Sequence, residues 1–199
     1  MTWSGGIRMD IMEALKTRRS IGRVQDKEVP KESIERMIEA ATWAPNHFKT
    51  EPWRFFVLTG DGRKGLGETL AKIAERDMDD PTTEENKSKL ERARKNPFRA
   101  PVVIAAAVEP SDDPKVILKE EYAAVNAGIQ NMLLAAHALG LGTVWRTGTP
   151  CYDKEVSQLF GLSARGEVLG FIYVGYPDME PAARKRKSVD EVTQWVESD

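Results

Sequence analysis

The sequence has few of the residues that usually identify a catalytic or metal site. Among its 199 residues are one cysteine, Cys151, and two histidines, His47 and His137. A single cysteine excludes an intramolecular disulfide and fits a reducing cytoplasm, and this set cannot supply the four ligands of a structural zinc ion. No G-x-S-x-G, H-E-x-x-H or P-loop motif is present. We therefore expect a cytoplasmic protein without a metal site.

The sequence also lacks long apolar runs and an excess of charge of one sign. Hydrophobic residues make up 41% and charged residues 30%, with a net charge of -2, so nothing indicates a nucleic-acid partner. No apolar run approaches the ~20 residues that a membrane helix needs. The start, M-T-W-S-G-G-I-R, lacks the features of a signal peptide. We predict an N-terminal extension over 1–9 and a single domain over 10–199.

Hydrophobic periodicity predicts helices and strands that alternate unevenly. Apolar residues at helical spacing predict helices over 10–17, 31–43, two segments within 63–95, 117–139 and 153–160. Runs of β-branched, aromatic and small apolar residues predict strands over 53–59, 102–108, 143–145 and 168–174. Because this order is not a regular βαβ alternation, we expect an α+β fold in which helices flank a central mixed sheet of about four strands.

Three glycines imitate a dinucleotide-binding motif. Gly60, Gly62 and Gly65 fit G-x-G-x-x-G, after a predicted strand and before a predicted helix. A dinucleotide fold also needs a second parallel strand and an acidic ribose ligand about 20 residues further on. Residues 76–81, R-D-M-D-D-P, are polar and contain no strand pattern. We therefore interpret the glycines as a turn.

Cations, hydroxyls and tryptophans are the remaining candidates for ligand binding. The cationic groups are 18–20 (R-R-S), 146–147 (R-T) and 184–187 (R-K-R-K). Adjacent guanidinium groups suit a phosphate, although each group also fits a solvated surface and arginines are favourable at a helix C-terminus. Cations with aromatic neighbours suit an anionic, flat ligand, such as a phosphorylated cofactor with a ring system.

Two further regions have alternative interpretations. The loop within 43–57 is stiffened by Pro45 and Pro52 and is either a ligand-binding loop or a polar connection. The helix over 117–139 is rich in alanine, which favours close packing and a subunit interface. His137 lies among these alanines, so we expect a packed core or interface histidine there. The mostly charged helix over 83–95 is expected to be a solvated face.

The order of motifs resembles the nitroreductase family of FMN-dependent oxidoreductases. It comprises R-R-S, A-P-x-x-x-x-x-x-P-W-x-F-x-V, a small-residue helix, G-L-G-x-x-W-R-T-G and G-Y-P, and it covers nearly all of 10–195. The loop H-x-x-x-x-P-W-x-F-F-V, N-P-F-R-A-P and W-R-T-G are most similar to the small, single-domain YdjA-type branch. The resemblance implies a nitroreductase-like homodimer with FMN at its interface. It also implies NAD(P)H-dependent reduction of nitroaromatic or quinone-like acceptors by a ping-pong hydride mechanism.

The resemblance implies cofactor-binding roles for nine residues and assigns no catalytic residue. The phosphate, ribityl chain and ring edge would be bound by Arg18, Arg19 and Ser20, with Arg186 as a further phosphate-side cation. The isoalloxazine would lie along Trp145, Arg146 and Thr147, and the partner chain would contribute Trp43 and His47. The alternatives are a flavin-binding storage or sensing protein without turnover, or another flavin chemistry on the same scaffold.

This chain departs from the family pattern in two places. In A-P-S-x-x-N-x-Q-P-W, Asn46, Lys49 and Glu51 replace Ser, Asn and Gln. In R-S-x-R, the second arginine falls at Arg23, one position later than the pattern has it. We expect Lys49 and Glu51 to be where the specificity of this protein lies.

Overall fold

The computed structural model describes residues 9–182 and 184–197, so the predicted N-terminal extension lies outside the described residues except for Met9. The α-helices are α1 (Ile11–Thr17), α2 (Lys31–Thr42), α3 (Arg63–Arg76), α4 (Glu84–Lys95), α5 (Leu118–Ala138) and α6 (Lys154–Leu159). The strands are β1 (Trp53–Thr59), β2 (Val102–Val108), β3 (Gly142–Arg146) and β4 (Glu167–Gly175). Short 3₁₀ turns lie at His47–Lys49, Gly60–Gly62, Asn96–Arg99 and Thr149–Tyr152.

The helices and strands confirm the hydrophobic pattern, with ends that differ by one residue where they differ at all. At α1 the reason is visible, because Asp10 caps the helix from outside. Its side-chain oxygen accepts hydrogen bonds from the backbone N–H groups of Met12 and Glu13. The charged region between β1 and β2 divides into α3 and α4, as predicted.

The α+β class and the number of strands are confirmed, but the sheet is not mixed. Its order is β1-β2-β4-β3, and each neighbouring pair is antiparallel. In the described residues, parallel pairing is limited to one isolated bridge between Ser20 and Thr143. The reason lies in the connections. The helices α3 and α4 bring the chain back to the end of the sheet at which β1 finishes, so β2 runs antiparallel to β1. Helix α5 then carries the chain from the end of β2 to the opposite end of the sheet, where β3 begins. Strand β4 then inserts between β2 and β3, antiparallel to both.

The interpretation of Gly60 to Gly65 as a turn is also confirmed. Gly60–Gly62 forms a 3₁₀ turn between β1 and α3. A dinucleotide fold would place the next strand parallel to β1, whereas β2 runs antiparallel to it.

Two hydrophobic layers cover the sheet, and β2 contributes to both. Val102, Ile104, Ala106 and Val108 belong to the cluster that includes α2 and α5. The alternating residues Val103, Ala105 and Ala107 belong to the cluster that includes α3 and α6. A strand with period two and no polar residue must be covered on both faces. The edge strands β1 and β3 are therefore the parts of the sheet where backbone groups can meet a ligand.

Helix α5 is the longest, with 21 residues, and it packs on α2. The Asn131 amide donates a hydrogen bond to the Ala40 carbonyl of α2 at 3.2 Å. None of the described helices combines the length and the apolar composition needed to cross a bilayer.

Candidate functional site

The free edge of β3 is the base of the candidate site. The Ile21 N–H donates to the Thr143 carbonyl at 2.8 Å, so the backbone of Thr143 faces outward from the sheet. Because backbone groups alternate between the two edges of a strand, the N–H and carbonyl of Trp145 face the same way. The pairing with the 18–21 segment is a single bridge at Ser20. Beyond it, the backbone of Trp145 is presented to a ligand.

A cluster of cations lies at the beginning of β3. Helix α1 ends at Thr17, and Arg18 and Arg19 follow directly. Burial, and then the positive charges of Arg19 and Arg186, lower the pKa of the Arg18 guanidinium. In residues 9–182 and 184–197, these three arginines form no ion pair with a carboxylate. Like charges without counter-charges repel one another, so an anion would be bound favourably here.

A cavity of about 410 Å³ opens beside this cluster. Its lining includes Thr17, Arg18, Arg19, His137 and Thr143. The prediction of a phosphate-type site at R-R-S therefore has a cavity to support it. His137 is only partly buried and lines this cavity, so it is not a core histidine, and the alternative of an interface histidine stays a prediction.

A second basic cavity, of about 460 Å³, lies against the other end of β3. Its lining residues are Arg92, Ala93, Lys95, Asn96, Arg99 and Arg146. Helix α4 is mostly exposed, as predicted, but its last turn faces this cavity, which its charged composition did not predict. The sequence does contain a signal for this cavity. The spacing of Arg92, Lys95 and Arg99 places three cations on one side of α4 and of the 3₁₀ turn that follows it.

Arg146 is the member of this cavity with an unsatisfied group. Its Nε atom is buried and has no hydrogen-bond partner among the described residues. Its guanidinium lies 5.0 Å from the centre of the Tyr173 ring. Burial raises the pKa of Tyr173, against the opposing charges of Arg146 and Arg99. Because buried polar groups in folded proteins are nearly always paired, the unpaired Nε atom calls for an explanation, such as an ordered water or a rearrangement of this side chain when a ligand binds.

Two glycines allow the walls of the site to approach closely. A Cβ atom at Gly67 in α3 would lie 2.4 Å from the Arg94 carbonyl oxygen, so this glycine fixes how closely α4 packs. A Cβ atom at Gly170 in β4 would lie 1.9 Å from Trp145 Nε1. The Trp145 indole instead lies over Gly170 and donates to the Leu169 carbonyl at 3.2 Å. The indole is thus held against the sheet, and the backbone of Trp145 is the part that faces the free edge.

The loop with Trp43 and His47 lies elsewhere in the protomer. Trp43 is 80% exposed, and neither residue lines either of the two basic cavities. His47 Nδ1 is 2.6 Å from Glu120 Oε2, and its ring stacks on Phe48 at 4.2 Å. The implied role of these two residues, in the flavin site of a partner chain, stays a prediction.

The conformation of this loop is strained and is held from outside. Phe48, Lys49 and Glu51 have φ values of 59°, 55° and 48°. These values cost of order 1–3 kcal/mol each and persist where the surroundings impose them. The Asn46 side chain accepts from the Glu51 N–H at 2.6 Å, and the Thr50 hydroxyl donates to Glu121 at 2.5 Å. Lys49 and Glu51, the expected specificity positions, thus lie on a constrained loop.

Of the nine predicted residues, the structure groups five along β3 and the segment beside it. Arg18, Arg19 and Ser20 lie beside its start, and Trp145 and Arg146 lie at its end. The positive charge of Arg186 also acts on this group, because it lowers the pKa of Arg18. Thr147 follows in an exposed turn. The fold and site define a class: an α+β protein whose edge strand presents an outward-facing backbone between two basic cavities.

Comparison with known proteins identifies the family within that class. The model of the nitroreductase family matches residues 15–176, and the chain belongs to this family. YfhC of Bacillus subtilis (strain 168) is 34% identical over 180 residues, which is 90% of each chain. YdjA of Escherichia coli (strain K12) is 30% identical over 172 residues, 86% of this chain and 91% of its own. Both carry the provisional name NAD(P)H nitroreductase. The predicted family and its YdjA-type branch are therefore confirmed.

The solved structures agree. A crystal structure from Desulfovibrio desulfuricans, provisionally named a nitroreductase and solved in complex with FMN, superposes with a TM-score of 0.69. It is 27% identical, and the match covers 97% of this chain and 100% of that one. The nitroreductase-like fold expected from the sequence is confirmed.

Proposed function

We propose that this protein is an FMN-dependent oxidoreductase that uses NAD(P)H to reduce electron-poor acceptors such as nitroaromatics or quinones. The observation that carries the proposal is the pair of basic cavities at the two ends of the free edge of β3. Thr143 and Arg146, which line one cavity each, are three residues apart in the strand, roughly 10 Å at 3.3 Å per residue. Their side chains point to opposite faces of the sheet, so the free edge of β3 is the surface that connects the two cavities. An elongated ligand with a phosphate at one end and a polar ring at the other suits this arrangement.

The residues at hand fit FMN in three respects. The cluster of Arg18, Arg19 and Arg186 supplies charge for a phosphate. The guanidinium of Arg146, which lines the second basic cavity, supplies N–H donors for ring oxygens or nitrogens. The backbone of Trp145 supplies an outward N–H and carbonyl for a ring edge that carries both donors and acceptors. When bound, FMN would supply the hydride chemistry that this chain's own side chains lack.

The chain would contribute binding, orientation and charge stabilisation. Arg18 would hold the phosphate, with Ser20 and Arg19 beside it. Arg146, which is partly buried and held against the Tyr173 ring, would stabilise negative charge on the ring in its reduced form, because a fixed cation there needs no reorganisation. The two half-reactions would use the same open face in turn, which is the ping-pong order that the resemblance implies.

A test of this function begins with the colour of the purified protein. We expect flavin absorbance from a bound cofactor that is released on denaturation as FMN. We also expect anaerobic bleaching by NADH or NADPH and recovery of the absorbance when a nitroaromatic or quinone is added. A colourless protein that does not bind added FMN would contradict the proposal. A yellow protein that neither nucleotide reduces would favour a storage or sensing role.

We further propose that the site is completed by a second copy of the chain. Apolar side chains of the C-terminal segment are 67–89% exposed in the protomer: Val189, Val192, Trp195 and Val196. On α1, Ile11, Met12 and Leu15 are 49–60% exposed, and Trp43 is 80% exposed. Apolar surface on this scale marks an interface. A homodimer would cover it and would bring Trp43 and His47 to the flavin of the partner.

The oligomeric state in solution tests this second proposal. We expect light scattering to give twice the 22.3 kDa mass of the chain. The double variant Val192→Ser, Trp195→Ser should shift the protein towards the monomer and lower FMN retention in parallel. Leu159→Ser, at a 40% exposed position on α6, is the matched control and should leave the mass unchanged. A wild-type monomer that binds FMN normally would contradict the dimeric site.

A further inference from the structure

His137 belongs to the Arg18 cavity, but the proposed function gives it no role. Its Nε2 atom is 2.8 Å from the Thr17 hydroxyl oxygen. That hydroxyl donates its single proton to the Glu13 carbonyl at 2.7 Å. Nε2 must therefore carry the hydrogen and donate to Thr17. In the neutral ring Nδ1 is then the basic nitrogen, and it is the atom that would take up a proton.

The charges around His137 come from α1 and from the segment that follows it. Burial lowers the pKa of His137 most, and Arg18 and Arg19 lower it further. Glu13, on the same side of α1, acts in the opposite direction. The positive charge of Arg186 also lowers the pKa of Arg18, so positive charges outnumber negative charges around this cavity. The imidazole is therefore neutral at pH 7 as long as no anion compensates these arginines.

A phosphate monoester reverses this balance. It brings about -1.5 to -2 charges at neutral pH into a cavity that His137 lines with Arg18 and Arg19. An opposite charge within about 4–6 Å favours the charged form of an imidazole. Protonated His137 would then add a donor at Nδ1 and a third positive charge, while Nε2 keeps its bond to Thr17.

We propose that His137 is a phosphate-binding residue of this cavity that takes up a proton when the phosphate of FMN enters, so that flavin binding is coupled to pH. The inference rests on the proposed function, which places FMN phosphate in the Arg18 cavity. A group whose affinity for protons rises on binding makes the ligand bind more tightly as the pH falls. The pH window for this effect begins at the pKa of His137 in the flavin-free protein, which lies below the ordinary value of about 6.5, and extends up to its higher pKa in the complex. Below about pH 6 the phosphate itself becomes protonated and the gain stops.

NMR titration of the histidine ring protons tests the coupling directly. The chain has only two histidines, and His47→Gln assigns the remaining signal to His137. In flavin-free protein, His137 should titrate below about 6.5, the ordinary value. In the FMN complex its midpoint should rise by about one unit or more. In the complex with riboflavin, which has no phosphate, the midpoint should stay near that of the flavin-free protein.

Affinity measurements supply the second readout. From pH 8 to 6.5, wild-type protein should bind FMN about two- to threefold more tightly, which is part of the total tenfold that a rise of one pKa unit allows. His137→Gln should remove most of this dependence, and riboflavin affinity should vary little in either protein. An unchanged His137 midpoint on FMN binding, or the same pH dependence in His137→Gln, would overturn this inference alone. Failure of FMN to bind at any pH would instead overturn the proposed function.

Discussion

Replacing Arg18 with alanine is expected to weaken FMN binding by about 10- to 150-fold. Arg18 is a partly buried member of the cation cluster, and its pKa is lowered by burial and by Arg19 and Arg186. A charge-assisted hydrogen bond of this kind contributes about 1.5–3 kcal/mol, and each 1.4 kcal/mol is a factor of ten in affinity. Equilibrium titration of flavin-free protein with FMN, followed by flavin fluorescence, measures the change.

Two control experiments distinguish the loss of a phosphate contact from the effect on FMN affinity of removing any positive charge. Arg165→Ala removes the same charge from a residue that binds Asp112 and the Ser111 carbonyl and that lines neither basic cavity at β3. We expect its FMN affinity to stay within about twofold of wild type. Riboflavin should bind Arg18→Ala and wild type alike. If Arg18→Ala retained FMN as tightly as wild type, the assignment of the phosphate to this cavity would be wrong.

The elements of the fold could be predicted from the sequence, but the strand directions could not. The run over 102–108 has no polar residue, which allows only a strand covered on both faces, and its residues are at most 2% exposed. Strand direction depends instead on how many helices pack between two strands. The helices α3 and α4 meet where Gly67 approaches the Arg94 carbonyl, and no local pattern reveals that contact.

The candidate site was predictable where chemistry is concentrated in one motif. R-R-S put two guanidinium groups side by side, and the structure adds a cavity beside them. The second basic cavity was not predicted, because the overall composition of α4 does not show which of its charged residues lie on the same face. Only its last turn and the following 3₁₀ turn face Arg146. For a related reason the sequence did not predict that His137 lines a cavity, since its neighbours in sequence are alanines whereas its neighbours in space include Thr17 and Arg18.

The backbone conformation of the loop at 46–51 could not be predicted from the sequence. Pro45 and Pro52 predicted a stiff connection, but Phe, Lys and Glu are residue types that rarely adopt positive φ. Their conformation is imposed through a side chain that lies 71 residues from Thr50 in the sequence. The family pattern has Asn where Lys49 stands, and Asn tolerates positive φ better than Lys does. The substitution at this position therefore increases the dependence of the loop on its outside support.

That support is Glu121, and Glu121→Ala is expected to lower the free energy of unfolding by about 3 kcal/mol. Its side chain is 1% exposed and accepts from the Thr50 hydroxyl at 2.5 Å and from the Ser111 N–H at 3.1 Å. A buried polar group that loses its partner costs about 1–3 kcal/mol, and here the Ser111 N–H loses its partner while the Thr50 hydroxyl keeps only a longer contact with Asn46, at 3.3 Å. Removal of the fully buried side chain also leaves a cavity, which adds to the cost. For a chain of this size the melting temperature should fall by roughly 6–12 °C. Differential scanning calorimetry measures both quantities.

The neighbouring residue provides the matched control. Glu120→Ala removes the same side chain one position earlier, where the carboxylate pairs with His47 at 2.6 Å and both groups are substantially exposed. An exposed pair of this kind contributes about 0–1 kcal/mol, so the melting temperature should fall by less than roughly 4 °C. Glu121→Gln, which keeps one acceptor oxygen, should fall between the two. If Glu121→Ala were as stable as Glu120→Ala, the strained backbone at Phe48, Lys49 and Glu51 would have to be held by the Asn46 side chain alone.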